Sequence, residues 1–357
     1  MEDIFANVEI TKERFPVIWQ AVRINAIDSY DTPPEILSIN GSTIGTLGNF
    51  SASTGKAKSK KTFNLSAIVA AALSGNVVLR YKATLPPGKR HILYIDTEQS
   101  SYHCHKVLER ILALAGLPEH QDCPLLEFIM LREFSPKARK EIIDMALSLK
   151  DNLGLVIIDG IRDLMYDINS PTESVELINM LMKWSAHYNI HIHTVLHLNK
   201  GDENTRGHIG TEMNNKAETV LKITKALDAS DISEVRAMHI RDREFEPFAF
   251  RIDERALPVL VDDYSNTMVR SKQISFRCIT EDQHKAALEY GFSSSAPMGY
   301  NMMIEALKTG YASIGYERGR NTLVNLAKWL MAQNVLVKIE NKYIYNPECE
   351  IHSESAE

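Results

Sequence analysis

Two apolar runs stand out along the chain, "HILYIDTE" at 91–98 and "LGLVIIDG" at 153–160. Neither alternates with polar residues, as expected of parallel strands buried on both faces. A third run, "IHIHTVLHLN" at 190–199, follows them. Between the first two lies "KVLERILALAGLP", which reads as a helix. Before the third comes "SVELINMLMKWSAHYN", also helical and opened by "SPTE" at 170–173. There Ser170 is the expected N-cap, Pro171 the first helical residue and Glu173 the reciprocal capping partner. Upstream, the short apolar runs and glycines of "PPEILSI" and "NGSTIGTLGNFSAS" predict strands or a hairpin. From Thr62, "TFNLSAIVAAALSGN" is rich in alanine and leucine, and predicts a helix stopped by Gly75. Strand, helix, strand, helix, strand is the order of an α/β domain with a parallel sheet. From about 217 to 261, "TVLKIT", "VRAMHIRDR" and "FAFRID" predict an antiparallel extension of that sheet.

Residues 262–295 are polar and irregular, with serines at 293–295, and read as a linker. Beyond them "YNMMIEALKTG" and "RGRNTLVNLAKWLMAQN" predict two helices. "VLVKIENKYIYN" predicts two short strands turning at Glu340-Asn341. Helix, turn, helix and hairpin resembles a winged helix. The expected organisation is an N-terminal segment 1–29, a core 30–261, the linker 262–295, a winged-helix-like unit 296–347 and an acidic tail 348–357.

Composition narrows the function. Of 357 residues, 44% are hydrophobic and 24% charged, ordinary for a globular protein with a core. No apolar run approaches the roughly 18–20 residues that span a bilayer. The N-terminal "MEDIFANVEITKERF" lacks the apolar segment of a secretion signal. Cys104, Cys123, Cys278 and Cys349 are scattered, with no C-x-x-C pair, which favours reduced thiols in a cytoplasm. The net charge of −6 excludes the whole chain as a polyanion binder and leaves local patches for nucleic acid. Residues 296–347 are such a patch. Lys308, Arg318, Arg320, Lys328, Lys338 and Lys342 outnumber Glu305, Glu317 and Glu340, for a local charge of +3.

The chemistry centres on "GKAKSKKTF" at 55–63. It matches G-x-x-x-x-G-K-[ST] except that Lys60 replaces the second glycine. A phosphate loop of this kind aims backbone N–H groups at phosphates from a helix N-terminus, with Lys61 for the terminal phosphates and Thr62 for a metal ion. If φ at Lys60 is positive, the departure stores strain of about 1–3 kcal/mol. A lysine-rich surface loop is the alternative.

In order along the chain, "GKAKSKKT", "LYIDTEQS", "LVIIDG", "VLHLNK" and "HIRDREFEPFAFRID" resemble the motifs of RecA-like ATPases of the RepA-type hexameric helicase group. The loop follows that group's G-x-x-K-[ST]-G-K-[ST] variant, with Lys58 at the fourth position. The likeness covers about residues 30–255. It implies a RecA-like core that binds ATP and Mg²⁺, acts on DNA and assembles as a homo-oligomer, in that group a hexamer. Such proteins serve plasmids and other mobile elements. The nucleotide set would be Gly55, Lys58, Ser59, Lys60, Lys61, Thr62 and Phe63. Thr62 would bind Mg²⁺, and Asp159 would hold its outer shell or, alternatively, cap the next turn. Glu98 would orient and deprotonate the attacking water, with Asp96 as a substitute. His197 would sense the γ-phosphate.

Arg241 and Arg243 share a face of an expected strand, as an arginine finger for a neighbouring subunit or a solvated edge. Lys200 and Arg206 lie in "NKGDENTRGHIGTE", where RecA-like proteins place a DNA-contacting loop and where a plain flexible loop would also fit. In the C-terminal unit, Arg318, Arg320 and Asn321 open the second helix, where a recognition helix meets DNA. Lys338 and Lys342 would sit on the wing; a protein-interaction module is the alternative. His191, His193 and His197 have the same parity, but the first and last are about 20 Å apart along a strand, too far for one metal. A two-histidine site from 191 and 193 stays open, and "HCH" at 103–105 reads as a helix start. Alternative functions are an ATP-switched DNA-binding regulator or recombination mediator with little turnover, or a scaffold that binds no nucleotide.

Overall fold

The computed structural model describes residues 10–198, 207–226, 231–261, 276–293, 296–316, 318–349 and 351. It contains two compact units, Met1–Ser265 and Asn266–Glu357.

The first unit opens with a short helix, α1 (Phe15–Val22), none of whose residues is buried. Strands β1 (Glu35–Ile39) and β2 (Ser42–Thr46) form an antiparallel hairpin, one of the two outcomes the sequence allows, and β4 (Tyr81–Ala83) pairs with the other edge of β1. Between them, β3 (Phe50–Gly55) enters a nine-stranded sheet, and α2 (Lys61–Ser74) follows it. Gly75 closes α2 at φ +71, as the sequence predicts. The remaining elements are β5 (His91–Asp96), α3 (Ser101–Leu114), β6 (Leu126–Met130), α4 (Pro136–Ser148), β7 (Leu153–Asp159), α5 (Pro171–His187), β8 (His191–His197), α6 (Gly207–Lys216), β9 (Thr219–Lys225), β10 (Ile232–Ile240), β11 (Phe248–Ile252) and β12 (Pro258–Leu260). The sheet order is β12-β11-β10-β9-β3-β8-β7-β5-β6. From β9 to β6 every pairing is parallel, and β10 to β12 extend the sheet antiparallel. This is the α/β architecture with a parallel sheet and an antiparallel extension that the apolar runs predict.

Those runs are unbroken because alternate residues enter two cores. Ile92, Tyr94, Leu155, Ile157 and Val195 pack with Leu65, Ile68, Val107 and Ile111 of α2 and α3. Their neighbours Leu93, Ile95, Val156, Ile158 and Ile192 pack on the opposite face with Ile143, Leu177, Leu181, Trp184 and Met213 of α4, α5 and α6. The middle strands turn neither face to solvent.

Three local expectations differ from the structure. Between the first two runs the sequence predicts only the helix at 106–118, and the structure adds β6 and α4 after it. β6 is an edge strand with Glu127 and Met130 exposed, so it lacks the solid apolar signal. Its follower α4 carried a legible mark: Ser135 caps it by accepting from Ala138 N, with Pro136 next, just as Ser170 and Pro171 open α5. Glu173 does not complete a capping box; its carboxylate accepts from the backbone N–H groups of Tyr166 and Asp167 instead. The expected linker contains a helix, α7 (Glu281–Gly291), with a complete capping box between Thr280 and Gln283. Its buried face is only His284, Ala287 and Leu288, too few apolar residues to register as a hydrophobic period.

In the second unit α7 packs on α8 (Tyr300–Ser313), followed by α9 (Arg320–Ala332) and the hairpin β13 (Leu336–Ile339) and β14 (Lys342–Tyr345). Gly291 and Gly310 let the α7 and α8 backbones nearly touch; a Cβ on Gly310 would lie 2.1 Å from the Ala287 carbonyl. Met298 bridges Tyr343 and adds a short third rung to the hairpin. Cys104, Cys123 and Cys349 are free thiols. No described helix is long and apolar enough to cross a membrane.

Burial pushes His191 down to about 4 and His193 to about 3. Between pH 6.5 and those values the unfolded chain binds protons that the folded chain does not, so stability falls as pH falls through this window. Each histidine should cost about 2 kcal/mol between pH 6.5 and 5. Urea unfolding at pH 7 and pH 5 checks this. The His191→Gln/His193→Gln double variant should be less stable at pH 7 and show a flatter pH dependence; an equal pH slope in variant and wild type would refute the assignment.

Candidate functional site

The carboxyl ends of β3, β8, β7 and β5 lie side by side, and the loop 55–63 rises from the first of them. Gly55 can only be glycine: an added Cβ would sit 2.2 Å from the Ile223 carbonyl and 2.5 Å from Ser59 Oγ. Lys58 and Lys60 both take left-handed backbone, at φ +63 and +65. Lys60 is the residue before α2, so the helix N-terminus with its unpaired N–H groups points back into the loop. The Lys60 ammonium donates to the Asp231 carbonyl. The Ser59 hydroxyl is buried with no hydrogen-bond partner.

Lys61 is folded inward. Its ammonium donates to the carbonyls of Gly55 and Lys56, each at 3.0 Å, and reaches His197 Nδ1 at 3.1 Å. Burial pulls Lys61 down to about 8, against the attraction of Asp159 and Glu98. Since the ammonium donates to Nδ1, the His197 proton is on Nε2, which lies 3.5 Å from Glu98 Oε1. The His197 imidazole holds the Glu98 carboxyl below its ordinary value, so Glu98 is ionised at neutral pH.

Asp159 ends β7. Thr62 Oγ1 from α2 and the Tyr94 hydroxyl from β5 both donate to its Oδ2 at 3.0 Å. Burial, helped by the charge of Asp96, pushes Asp159 up to about 7. A buried carboxylate beside a threonine hydroxyl is a set of hard oxygen donors, and a divalent cation would supply the charge that burial withholds. These residues therefore fit Mg²⁺.

Asp96 is engaged by its own turn. Its carboxylate accepts from Glu98 N, Gln99 N and Gln99 Nε2 at 2.6–2.9 Å, and so shapes the turn that presents Glu98. Three other residues that the sequence reading passed over support the site. Gly160, at φ +110, leaves room for its neighbours; a Cβ there would meet Thr97 Oγ1 at 2.2 Å and Glu98 Cγ at 3.1 Å. Arg139 donates to the carbonyls of Leu131, Arg132 and Asp163 at 2.6–2.9 Å and so clamps two loops at this edge. Tyr94 is the third. Only Gly160 carried a sequence signal, as the glycine closing "LVIIDG". The Phe63 ring lies under the Arg110 guanidinium at 3.8 Å, so only its backbone faces the loop.

The structure separates other residues from this cluster. β10 ends at Ile240, so Arg241 and Arg243 are not on a shared strand face. Ile240 pairs with Thr219, at the end of the sheet away from the loop. Arg241 donates to the Lys216 carbonyl and Arg243 to the Gly41 carbonyl, so neither reaches the loop of its own chain. Lys200 and Arg206 lie outside the described residues, as does the side chain of Asn321. In the second unit Arg318 stacks on Tyr316 at 4.2 Å, and Arg320 donates to Asn301 Oδ1. Lys338 and Lys342 are exposed on β13 and β14. His191 and His193 are no metal pair, because serine hydroxyls occupy His191 Nε2 and both nitrogens of His193. "HCH" lies in the first turns of α3, as expected.

Residues 20–203 match the sequence family described as AAA domain. No curated protein matches the chain. Among solved structures, the RadB recombinase superposes with a TM-score of 0.42 and 14% identity, covering 59% of this chain and 90% of that one.

The left-handed backbone at Lys60 yields a direct test. Lys60→Gly relieves about 1–2 kcal/mol of steric cost and gives back about 0.5–1 in chain entropy. It should therefore raise stability by roughly 0.5–1 kcal/mol in urea unfolding. Lys60→Val, branched at Cβ, should lower it. The reverse ranking would mean that the loop is not held in this conformation.

Proposed function

The chain belongs to the AAA domain family, and from that premise we propose that it is an ATP-binding, DNA-dependent ATPase of the RepA-like helicase or translocase type. The observation that carries the reading is the convergence of Lys61, Thr62, Asp159, Glu98 and His197 at the carboxyl ends of four adjacent strands. Ligands bind there in open α/β sheets.

Each residue has work in phosphoryl transfer to water. The triphosphate would take the place of the Gly55 and Lys56 carbonyls as partner of Lys61, and lie against the backbone of Ser59, Lys60, Lys61, Thr62 and Phe63. Lys58 would reach the phosphates as a second cation. The Thr62 hydroxyl would ligate Mg²⁺, with Asp159 in its outer shell; the ion, when bound, neutralises charge on the β- and γ-phosphates. Glu98 is ionised and would orient a water and take its proton as the water oxygen bonds the γ-phosphorus and the bond from that phosphorus to the departing diphosphate oxygen breaks. His197, bridging Lys61 and Glu98, would register whether a γ-phosphate is present.

The same reading assigns Arg241 or Arg243 to a neighbouring subunit's nucleotide in a homo-oligomer, a hexamer in the helicase group. Lys200 and Arg206 would contact single-stranded DNA. Residues 296–347 would act as a winged helix gripping DNA through Arg318, Arg320, Asn321, Lys338 and Lys342. A plasmid or mobile element would be the setting, and the cytoplasm the compartment. The left-handed Lys58 and Lys60 favour a second reading, an ATP-switched DNA-binding regulator or recombination mediator with little turnover.

ATP hydrolysis by the full chain, with and without single-stranded DNA, decides between them. DNA-stimulated turnover is expected, reduced about 10²–10³-fold in Lys61→Ala. Glu98→Gln should bind ATP normally and lose turnover about 10²–10⁴-fold. Binding without turnover in wild type would favour the switch, and no binding would refute both readings.

A further inference from the structure

Ser51, Ser53, His191 and His193 are completely buried on one face of β3 and β8, and the phosphate site uses none of them. They form one continuous chain. His191 Nδ1 lies 3.0 Å from the Thr46 carbonyl, and His191 Nε2 lies 2.7 Å from Ser51 Oγ. Ser51 Oγ lies 2.7 Å from His193 Nδ1, and His193 Nε2 lies 2.8 Å from Ser53 Oγ.

One end of this chain sets every proton in it. A carbonyl can only accept, so His191 carries its hydrogen on Nδ1. Burial keeps both imidazoles neutral, which leaves His191 Nε2 bare and obliges the Ser51 hydroxyl to donate to it. With its proton committed, Ser51 accepts from His193 Nδ1–H. His193 Nε2 is then bare in turn and accepts from Ser53. All four hydrogens point the same way, toward Thr46, an arrangement in which each bond polarises the next.

The Thr46 end is anchored. Thr46 donates from its backbone N and its hydroxyl to the Glu218 carboxylate, each at 2.9 Å, with Arg241 nearby in charge contact. The other end, Ser53, is two residues before Gly55, and the β3–β8 register sets Gly55 opposite His197. Gly45 leaves space for the His191 ring, which an added Cβ would meet at 2.5 Å. A slip of one residue between the strands would turn these buried polar groups to the other face and orphan them. The chain is therefore a register lock in the two strands that carry the phosphate loop and the γ-phosphate-facing histidine.

We propose that the directed Ser53–His193–Ser51–His191 chain positions His197 across from the phosphate loop and so sets the preference of the site for nucleoside triphosphate over diphosphate. Ser51, Ser53, His191 and His193 are positioning residues that act through His197. The preference rests on the ATP-binding reading above; the direction of the chain does not.

Two measurements on the full chain test it. Long-range ¹⁵N–¹H imidazole spectra should show His191 and His193 as neutral Nδ1–H tautomers, identified by their loss in His191→Gln and His193→Gln. An Nε2–H tautomer or an imidazolium at either residue at pH 7 overturns the chain. Equilibrium binding of ATP and ADP should then show the triphosphate preference falling about 2- to 30-fold in Ser51→Ala and in His193→Phe, with ADP affinity unchanged. His193→Asn, which keeps a donor toward Ser51, should recover part of it. An unchanged preference, or ATP and ADP affinities that fall together, overturns the positioning role. Wild type that binds neither nucleotide overturns the proposed function and the preference with it, while the tautomers still decide the chain.

Discussion

The Asp159 Oδ2 atom is the point on which the site is built. Thr62 reaches it from the first turn of α2 and Tyr94 from the middle of β5, each at 3.0 Å, in an environment that pushes the carboxyl up to about 7. Because Thr62 is the second residue of its helix, this bond fixes where α2 starts relative to the sheet. The helix N-terminus then has to face the loop. Lys61, one residue earlier, has nowhere to go but inward, against loop carbonyls and His197. A buried polar group without such partners would cost about 1–3 kcal/mol, so the arrangement is self-enforcing.

Around that point the protein accepts strain in one place and removes it in others. Lys58 and Lys60 sit at positive φ, where glycine would be comfortable. Gly55 and Gly160 are glycines because the backbone of Ile223 and the side chain of Thr97 come too close for any Cβ. Arg139 holds the loops after β6 and β7 by their carbonyls, and Asp96 holds the turn before α3. A rigid frame that over-determines the loop is the condition under which left-handed lysines persist.

Much of this could be read along the chain. The three solid apolar runs became β5, β7 and β8, and the alanine-rich stretch became α2 with Gly75 at its end. Lys61, Thr62, Glu98, Asp159 and His197 were each named from a motif, and the fold brings them together. What escaped were elements whose identity depends on a neighbour. β6 is an edge strand that shows two of its five residues to solvent, and α7 buries a face of only three residues. Glu173 had two acceptable sets of backbone donors, and only the folded loop chose Tyr166 and Asp167. Arg241 and Arg243 alternate as a strand would, but β10 stops before them.

The sequence by itself determined the α/β class, the order of the parallel strands' carboxyl-end residues and the atypical lysine in the phosphate loop. Hydrophobic period and motif spacing are local properties of the chain, and these features depend on nothing else. Only the tertiary structure decided that Asp96 shapes a turn while Glu98 faces His197, that Lys60 is left-handed, and that two histidines two residues apart belong to a serine chain instead of a metal. Those outcomes depend on which lone pair or proton a distant residue presents. Such pairings bring together Ser51 with His193, Thr62 with Asp159 and Lys61 with His197, partners about 100 to 140 residues apart that meet only when the sheet is formed.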